Sequence, residues 1–134
     1  VTRYRISEAA ELLGVSDDTV RRWVDGGVLD AAPDDAGRAT VDGAALAAVA
    51  VERAHAPADP TARATSARNR LPGIVTRVVT DTVMAQVEMQ CGPFRVVSLM
   101  SSEAVRELGL EVGAHAVAVM KATTVVVETP GGSR

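Results

Sequence analysis

The hydrophobic pattern changes period near the middle of the chain. Up to about residue 54 the apolar positions recur at helical spacing, and beyond Gly73 they alternate. Ala9, Ala10, Leu12 and Leu13 supply one face of a short helix over 8–13, with Ser7 as its N-cap and Gly14 as its stop. Ser16 caps a second helix, whose first turn holds Asp17 and Asp18 at the positive end of the helix dipole. Val20, Trp23 and Val24 form its buried stripe, Thr19, Arg21, Arg22 and Asp25 stay outside, and Gly26-Gly27 ends it. In the second half Val83, Ala85, Val87 and Met89 alternate with Thr82, Met84, Gln86 and Glu88, the mark of a strand buried on one face. Further strands are expected over 74–80, 94–100, 114–120 and 123–128, with a helix over 103–108 capped by Ser101 or Ser102. Five strands with one helix between the third and fourth predict a small, partly closed OB-like barrel.

The chain is thus read as an α+β protein of two modules. A stretch over 55–65, with Pro57 and Pro60 and no hydrophobic period, joins them as a linker, and the Gly-rich tail over 129–134 is expected to be disordered. Half of a 134-residue chain buries little surface by itself, so oligomerisation is expected. The net charge of −3 is unevenly divided: residues 1–54 carry six arginines against ten acids, and residues 55–134 carry seven arginines and one lysine against seven acids. An acidic first module is a poor electrostatic match for a polyanion on its own.

Several classes of chemistry fall away. Cys91 is the sole cysteine, His55 and His115 stand apart from it and from any acidic cluster, and no metal site is expected. Nothing resembles a signal peptide or a membrane-spanning run, which gives the expectation of a cytoplasmic protein with no membrane partner. A nucleophile beside a base, paired carboxylates and a nucleotide loop are not found, so neither an enzyme nor a catalytic cofactor is expected. Phe94 is the single aromatic of the second module, too few for stacking single-stranded bases.

Two stretches carry candidate chemistry. Ser66-Ala67-Arg68-Asn69, just ahead of the first strand of the second module, gathers a hydroxyl, a guanidinium and an amide, either an anion site or an Arg-rich linker end. Lys121 is the one lysine in a chain that otherwise uses arginine thirteen times. An ammonium is a compact point charge suited to a small tetrahedral oxyanion, whereas a surface lysine kept by chance is the plain alternative.

Ala9-Ala10-Glu11-Leu12-Leu13-Gly14-Val15-Ser16-Asp17-Asp18-Thr19-Val20-Arg21-Arg22-Trp23, followed by Gly27-Val28-Leu29, resembles the MerR-like and excisionase-type winged helix-turn-helix over residues 1–54. Gly37-Arg38-Ala39-Thr40-Val41-Asp42 resembles the strand returning from its wing, with Asp42 capping a third helix. The resemblance implies that double-stranded DNA is a partner, met by Ser16, Thr19, Arg21, Arg22 and Arg38. Asp30, Asp34 and Asp35 depart from it, since acids in a wing repel the phosphate backbone.

The second module resembles the Mop domain of the TOBE group over 66–128, through Ser66-Ala67-Arg68-Asn69, Leu71, Gly73-Ile74-Val75, Ser101, Leu108-Gly109-Leu110, Gly113 and Lys121-Ala122. That resemblance implies molybdate or tungstate as ligand, held between subunits of a homo-oligomer, a hexamer for a single domain. Ser66, Ala67, Arg68 and Asn69 would form one side of the site, Lys121 and Ala122 another, and Ser101 a further contact. Where some relatives carry Ser, Ala122 offers only its backbone N–H. Together the two resemblances imply an oxyanion-responsive transcriptional regulator; a molybdate buffer or storage protein, with the first module serving assembly or docking, is the alternative.

Overall fold

The computed structural model describes residues 2–55, 58–61 and 64–131. They form two compact units, Val1–His55 and Ala56–Arg134. Residues 56, 57, 62 and 63 of the expected linker and 132–134 of the expected tail lie outside the described residues.

The first unit begins with β1 (Arg3–Arg5) and α1 (Ile6–Leu13). Arg5, not Ser7, is the N-cap of α1: Glu8 reaches back and accepts the Arg5 backbone N–H at 2.9 Å and its Nε at 3.3 Å. The helix therefore opens two residues earlier than its apolar period shows. Gly14 ends it at φ 67°, a left-handed conformation that favours glycine. Helix α2 (Asp17–Asp25) starts at Ser16, whose Oγ accepts the Thr19 N–H at 3.1 Å. Strands β2 (Ala31–Pro33) and β3 (Ala39–Asp42) then make a hairpin, and Asp42 caps α3 (Gly43–Glu52) by accepting the Ala45 N–H.

Strand β1 was not evident in the apolar pattern, because a three-residue Arg-Tyr-Arg strand has no period to detect. It pairs antiparallel with β3, giving a sheet ordered β1-β3-β2. Thr40 ties the three together: its Oγ1 accepts from Arg3 Nε and donates to the Ala32 carbonyl, each at 2.8 Å. The core beneath is Ala9, Ala10, Val20, Leu29, Val41, Leu46 and Val49, with Trp23 packed at its margin and the Arg53 guanidinium 5.3 Å from the Trp23 ring centre.

The second unit contains β4 (Asn69–Thr80), β5 (Met84–Cys91), β6 (Phe94–Ser101), α4 (Ser102–Leu108), β7 (His115–Met120) and a 3-10 turn over Ala122–Thr124. Its strands form one curled antiparallel sheet ordered β6-β5-β4-β7. The core is Val75, Ala85, Val87, Met89, Cys91 and Val105. Two expectations need correction. Strand β4 begins at Asn69, five residues before the predicted start, because Pro72 masks the strand; residues 69–73 pair with β7 while pairing with β5 starts only at Ile74, so the missing Pro72 N–H leaves no gap in a two-sided ladder. The expected fifth strand over 123–128 is not one: the chain turns in 3-10 form and runs on exposed and unpaired. A valine run has strand propensity, but propensity alone makes no strand where the backbone pairs with no neighbour.

Candidate functional site

The helix-turn-helix candidates are each already engaged, those of α2 with one another and with Asp18, and Arg38 in the turn between β2 and β3. Ser16 Oγ lies 2.9 Å from Thr19 Oγ1, which accepts from Arg22 Nη2 at 3.2 Å, so three of the five predicted DNA contacts form one hydrogen-bonded string along α2. Arg21 reaches Asp18 at 3.4 Å, and Arg38 reaches Asp34 at 3.2 Å. Exposed pairs of this kind contribute at most about 1 kcal/mol, and a phosphate can displace such a carboxylate. Asp34 has a second task that its charge alone hid: its Oδ1 accepts the Ala36 and Arg38 backbone N–H groups, both at 2.9 Å, and shapes the turn between β2 and β3. The Arg38 N–H, first among these contacts, lowers the Asp34 carboxyl below the ordinary range.

In the second unit the β4–β7 ladder sets the geometry. Its register puts Asn69 opposite Met120, and Asn69 Nδ2 donates to the Met120 carbonyl at 3.3 Å. Asn69, at the end of Ser66-Ala67-Arg68-Asn69, therefore lies beside Met120, the residue that leads into Lys121-Ala122, although some fifty residues separate the two stretches. Arg68 and Lys121 are exposed, Ala67 is buried, and Asn69 is half-buried. The 3-10 turn after Lys121 adds donors, since its first hydrogen bond is given by the Thr124 N–H to the Lys121 carbonyl, leaving the Ala122 and Thr123 N–H groups ahead of it. Thr124, whose Oγ1 also donates to that carbonyl at 2.9 Å, fixes the turn.

Other neighbours went unnoticed in the sequence. Thr65 Oγ1 accepts the Ala67 N–H at 3.2 Å, and the Thr65 carbonyl accepts from Arg68 Nη1 at 3.2 Å, so this threonine shapes the loop from outside the four-residue motif. Arg70 is taken up by Asp59 at 2.7 Å and by Thr61 Oγ1 at 2.6 Å. The Arg70 hydrogen bond, ahead of the Thr61 N–H, pulls the Asp59 carboxyl down to about 2. Part of the stretch read as linker is thus hooked onto β4, and Arg68 is left as the exposed guanidinium of the motif.

Ser101 stands apart. It pairs with Met84 at the opposite end of the sheet from Asn69, and its Oγ caps α4 by accepting the Ala104 N–H at 3.0 Å. Within one chain it does not join the other six residues. Gly73, by contrast, is explained by packing: a Cβ there would collide with the Gln90 carbonyl and come within 2.8 Å of Cys91 Sγ. The described residues include no group of three His, Cys, Asp or Glu side chains able to hold a metal ion, and no helix long and apolar enough to cross a membrane.

A helix-turn-helix unit followed by a curled antiparallel sheet with a donor-rich end defines a two-part binding protein. Residues 65–127 match the family model described as TOBE domain, and residues 3–50 match one described as helix-turn-helix domain. A probable molybdenum-pterin-binding protein of Haemophilus influenzae is 46% identical over 63 residues, which make up 46% of this chain and 91% of that protein. The molybdenum transport protein ModE of Herbaspirillum seropedicae is 35% identical over 66 residues, 48% of this chain and 24% of that protein. Among solved structures, a molybdate-binding protein from Sporomusa ovata aligns at 31% identity and a TM-score of 0.48, covering 50% of this chain and 100% of that one. The chain belongs, through its second unit, to the TOBE-domain family.

Proposed function

We propose that this protein is a molybdate- or tungstate-responsive DNA-binding transcriptional regulator, in which the TOBE unit holds the oxyanion between subunits of a homo-oligomer and the helix-turn-helix unit meets DNA. The observation that carries the reading is the β4–β7 register, with Asn69 opposite Met120, which supports a site built from the hydroxyl, guanidinium and amide of 66–69 together with Lys121 and the N–H groups of the following turn. Molybdate carries two negative charges on a metal already saturated with oxygen, so it calls for cations and hydrogen-bond donors rather than metal ligands. Ser66, Ala67, Arg68, Asn69, Lys121 and Ala122 are such a set. Ser101, remote within the chain, enters only if a second subunit supplies it. The names of the relatives, molybdenum-pterin-binding and molybdenum transport proteins, agree with this ligand class and with a binding protein rather than an enzyme.

Calorimetry of the purified protein with molybdate, tungstate and sulfate tests the ligand. Lys121→Ala and Arg68→Ala should each weaken molybdate binding about ten- to a hundredfold, the loss of a charge-assisted hydrogen bond, with the circular dichroism spectrum unchanged. Unaltered affinity in both variants removes the site. A gel shift on the protein's own upstream DNA, with and without molybdate, tests the regulator.

The second reading is a molybdate buffer whose first unit serves assembly or docking. The pairing of Arg21, Arg22 and Arg38 with groups of their own unit favours it, together with that unit's acidic balance. No DNA binding at low salt in either condition decides for the buffer.

A further inference from the structure

Arg70, Asp59 and Thr61 form a closed ring of hydrogen bonds. Arg70 donates from Nε to Asp59 Oδ2 at 2.7 Å and from Nη2 to Thr61 Oγ1 at 2.6 Å. Thr61 Oγ1 in turn donates to Asp59 Oδ1 at 3.2 Å, and that oxygen also accepts the Thr61 N–H at 2.9 Å. The hydroxyl thus accepts from the cation and donates to the carboxylate, which uses its full capacity. The side chains of Arg70 and Asp59 are 20% and 22% exposed, against 46% or more for the arginines paired in the first unit. A pair so placed is held better than an exposed one.

In sequence, Ser66-Ala67-Arg68-Asn69 lies between Thr61 and Arg70, so the ring ties together two points that flank the candidate oxyanion motif. Successive side chains of a strand point to opposite faces, and β4 is pinned on both where it begins. Asn69 Nδ2 is held by the Met120 carbonyl, and the Arg70 guanidinium by Asp59 and Thr61. Arg68 stands one residue ahead of this doubly pinned pair. A stretch tied at its ends has fewer conformations to lose when it orders around a ligand, and the difference appears as affinity. Charge alone argues the opposite way. Asp59 is a carboxylate close to cations that an oxyanion needs, and its field disfavours a dianion. The two effects differ in sign, so experiment can separate them.

We propose that Asp59 and Thr61 are positioning residues for oxyanion binding: by holding Arg70 they keep Ser66-Ala67-Arg68-Asn69 in the conformation that receives the anion. Neither residue touches the ligand, and both act through Arg70 and the strand it starts. The proposal rests on the oxyanion reading and adds the residues that prepare its site.

Calorimetric titration of the full chain with molybdate at neutral pH tests it. Asp59→Ala should weaken binding about three- to tenfold, although it removes a negative charge. Thr61→Val, which alters no charge, should weaken it about two- to fivefold, and Thr61→Ser, which brings the hydroxyl back, should recover that loss. The circular dichroism spectrum of each variant should match the parent's, because the β4–β5 and β4–β7 ladders do not depend on these side chains. An Asp59→Ala protein that binds molybdate as tightly as the parent, or more tightly, overturns the proposal, since charge then outweighs position. So does a Thr61→Val protein with the parent's affinity, or a Thr61→Ser protein as weak as Thr61→Val. In all three cases the parent still binds and the oxyanion reading stands. A parent chain that takes up neither molybdate nor tungstate overturns both.

Discussion

At the scale of single residues, the second unit spends its charges on its own framework. Glu88 projects from β5 with its side chain only 8% exposed, yet it lies between Arg77 at 3.7 Å and Arg95, which hydrogen-bonds it directly. A carboxylate so shielded from water has its charge matched by guanidinium partners from the strands on either side. Asp59 does similar work for the segment ahead of β4. Because its folded value is depressed to about 2 from an ordinary 3.8, its contribution to stability is complete above about pH 4 and is lost as pH falls through the folded value. A carbon-detected NMR titration should therefore find Asp59 still ionised at pH 3, and Asp59→Asn should abolish the loosening of residues 59–61 between pH 4 and 2. An Asp59 titrating near 3.8 would show that the Arg70 hook does not persist in solution. None of this was legible in the sequence, where Asp59 stood among prolines as linker and Arg70 as one more basic residue. Partners eleven residues apart share no period, and only the fold brings them together.

At the scale of elements, legibility followed periodicity. Helix α2, with its capping Ser16, and the alternation of β5 could be read because apolar residues recur on one face, whereas α3 and its cap Asp42, apolar nearly all round, were read through the winged helix-turn-helix resemblance. The start of β4 could not, since Asn69, Arg70 and Pro72 interrupt the alternation, yet those five extra residues create the register on which the candidate site depends. The motif was visible as residue types, and its spatial pairing with Lys121 was an expectation that pattern alone could not supply. The wing hairpin gives the converse case. Asp34 read as a repulsive charge, while its carboxylate builds the turn and holds Arg38. Those two tasks separate on Asp34→Asn, because the amide oxygen still accepts the Ala36 and Arg38 N–H groups and the charge is gone. If the first unit binds DNA, this variant should bind about three- to tenfold more tightly at low salt, with the gain shrinking as salt rises. Fluorescence anisotropy on the upstream DNA measures it. Equal affinity of variant and parent would separate the wing from the DNA.

At the scale of the whole molecule, the chain contains two hydrophobic cores with no residue in common, one under the helix-turn-helix and one inside the curled sheet. A ligand that binds only the folded second unit adds RT ln(1 + [L]/Kd) to that unit's stability, about 2.7 kcal/mol at a hundredfold excess over Kd. Differential scanning calorimetry should then show the transition of the second unit moving to higher temperature with molybdate, while that of the first unit moves little. Lys121→Ala should cancel the shift. If the oxyanion sits between subunits, the shifted transition should also depend on protein concentration, because unfolding then releases chains as well as ligand. Two transitions rising together would mean that the units unfold cooperatively, and the ligand signal would pass through contacts between them. A shift confined to the second unit would leave assembly as the route on the regulator reading: the oxyanion would fix how many chains are gathered, and linked weak DNA binders would gain effective concentration without any change inside the helix-turn-helix itself.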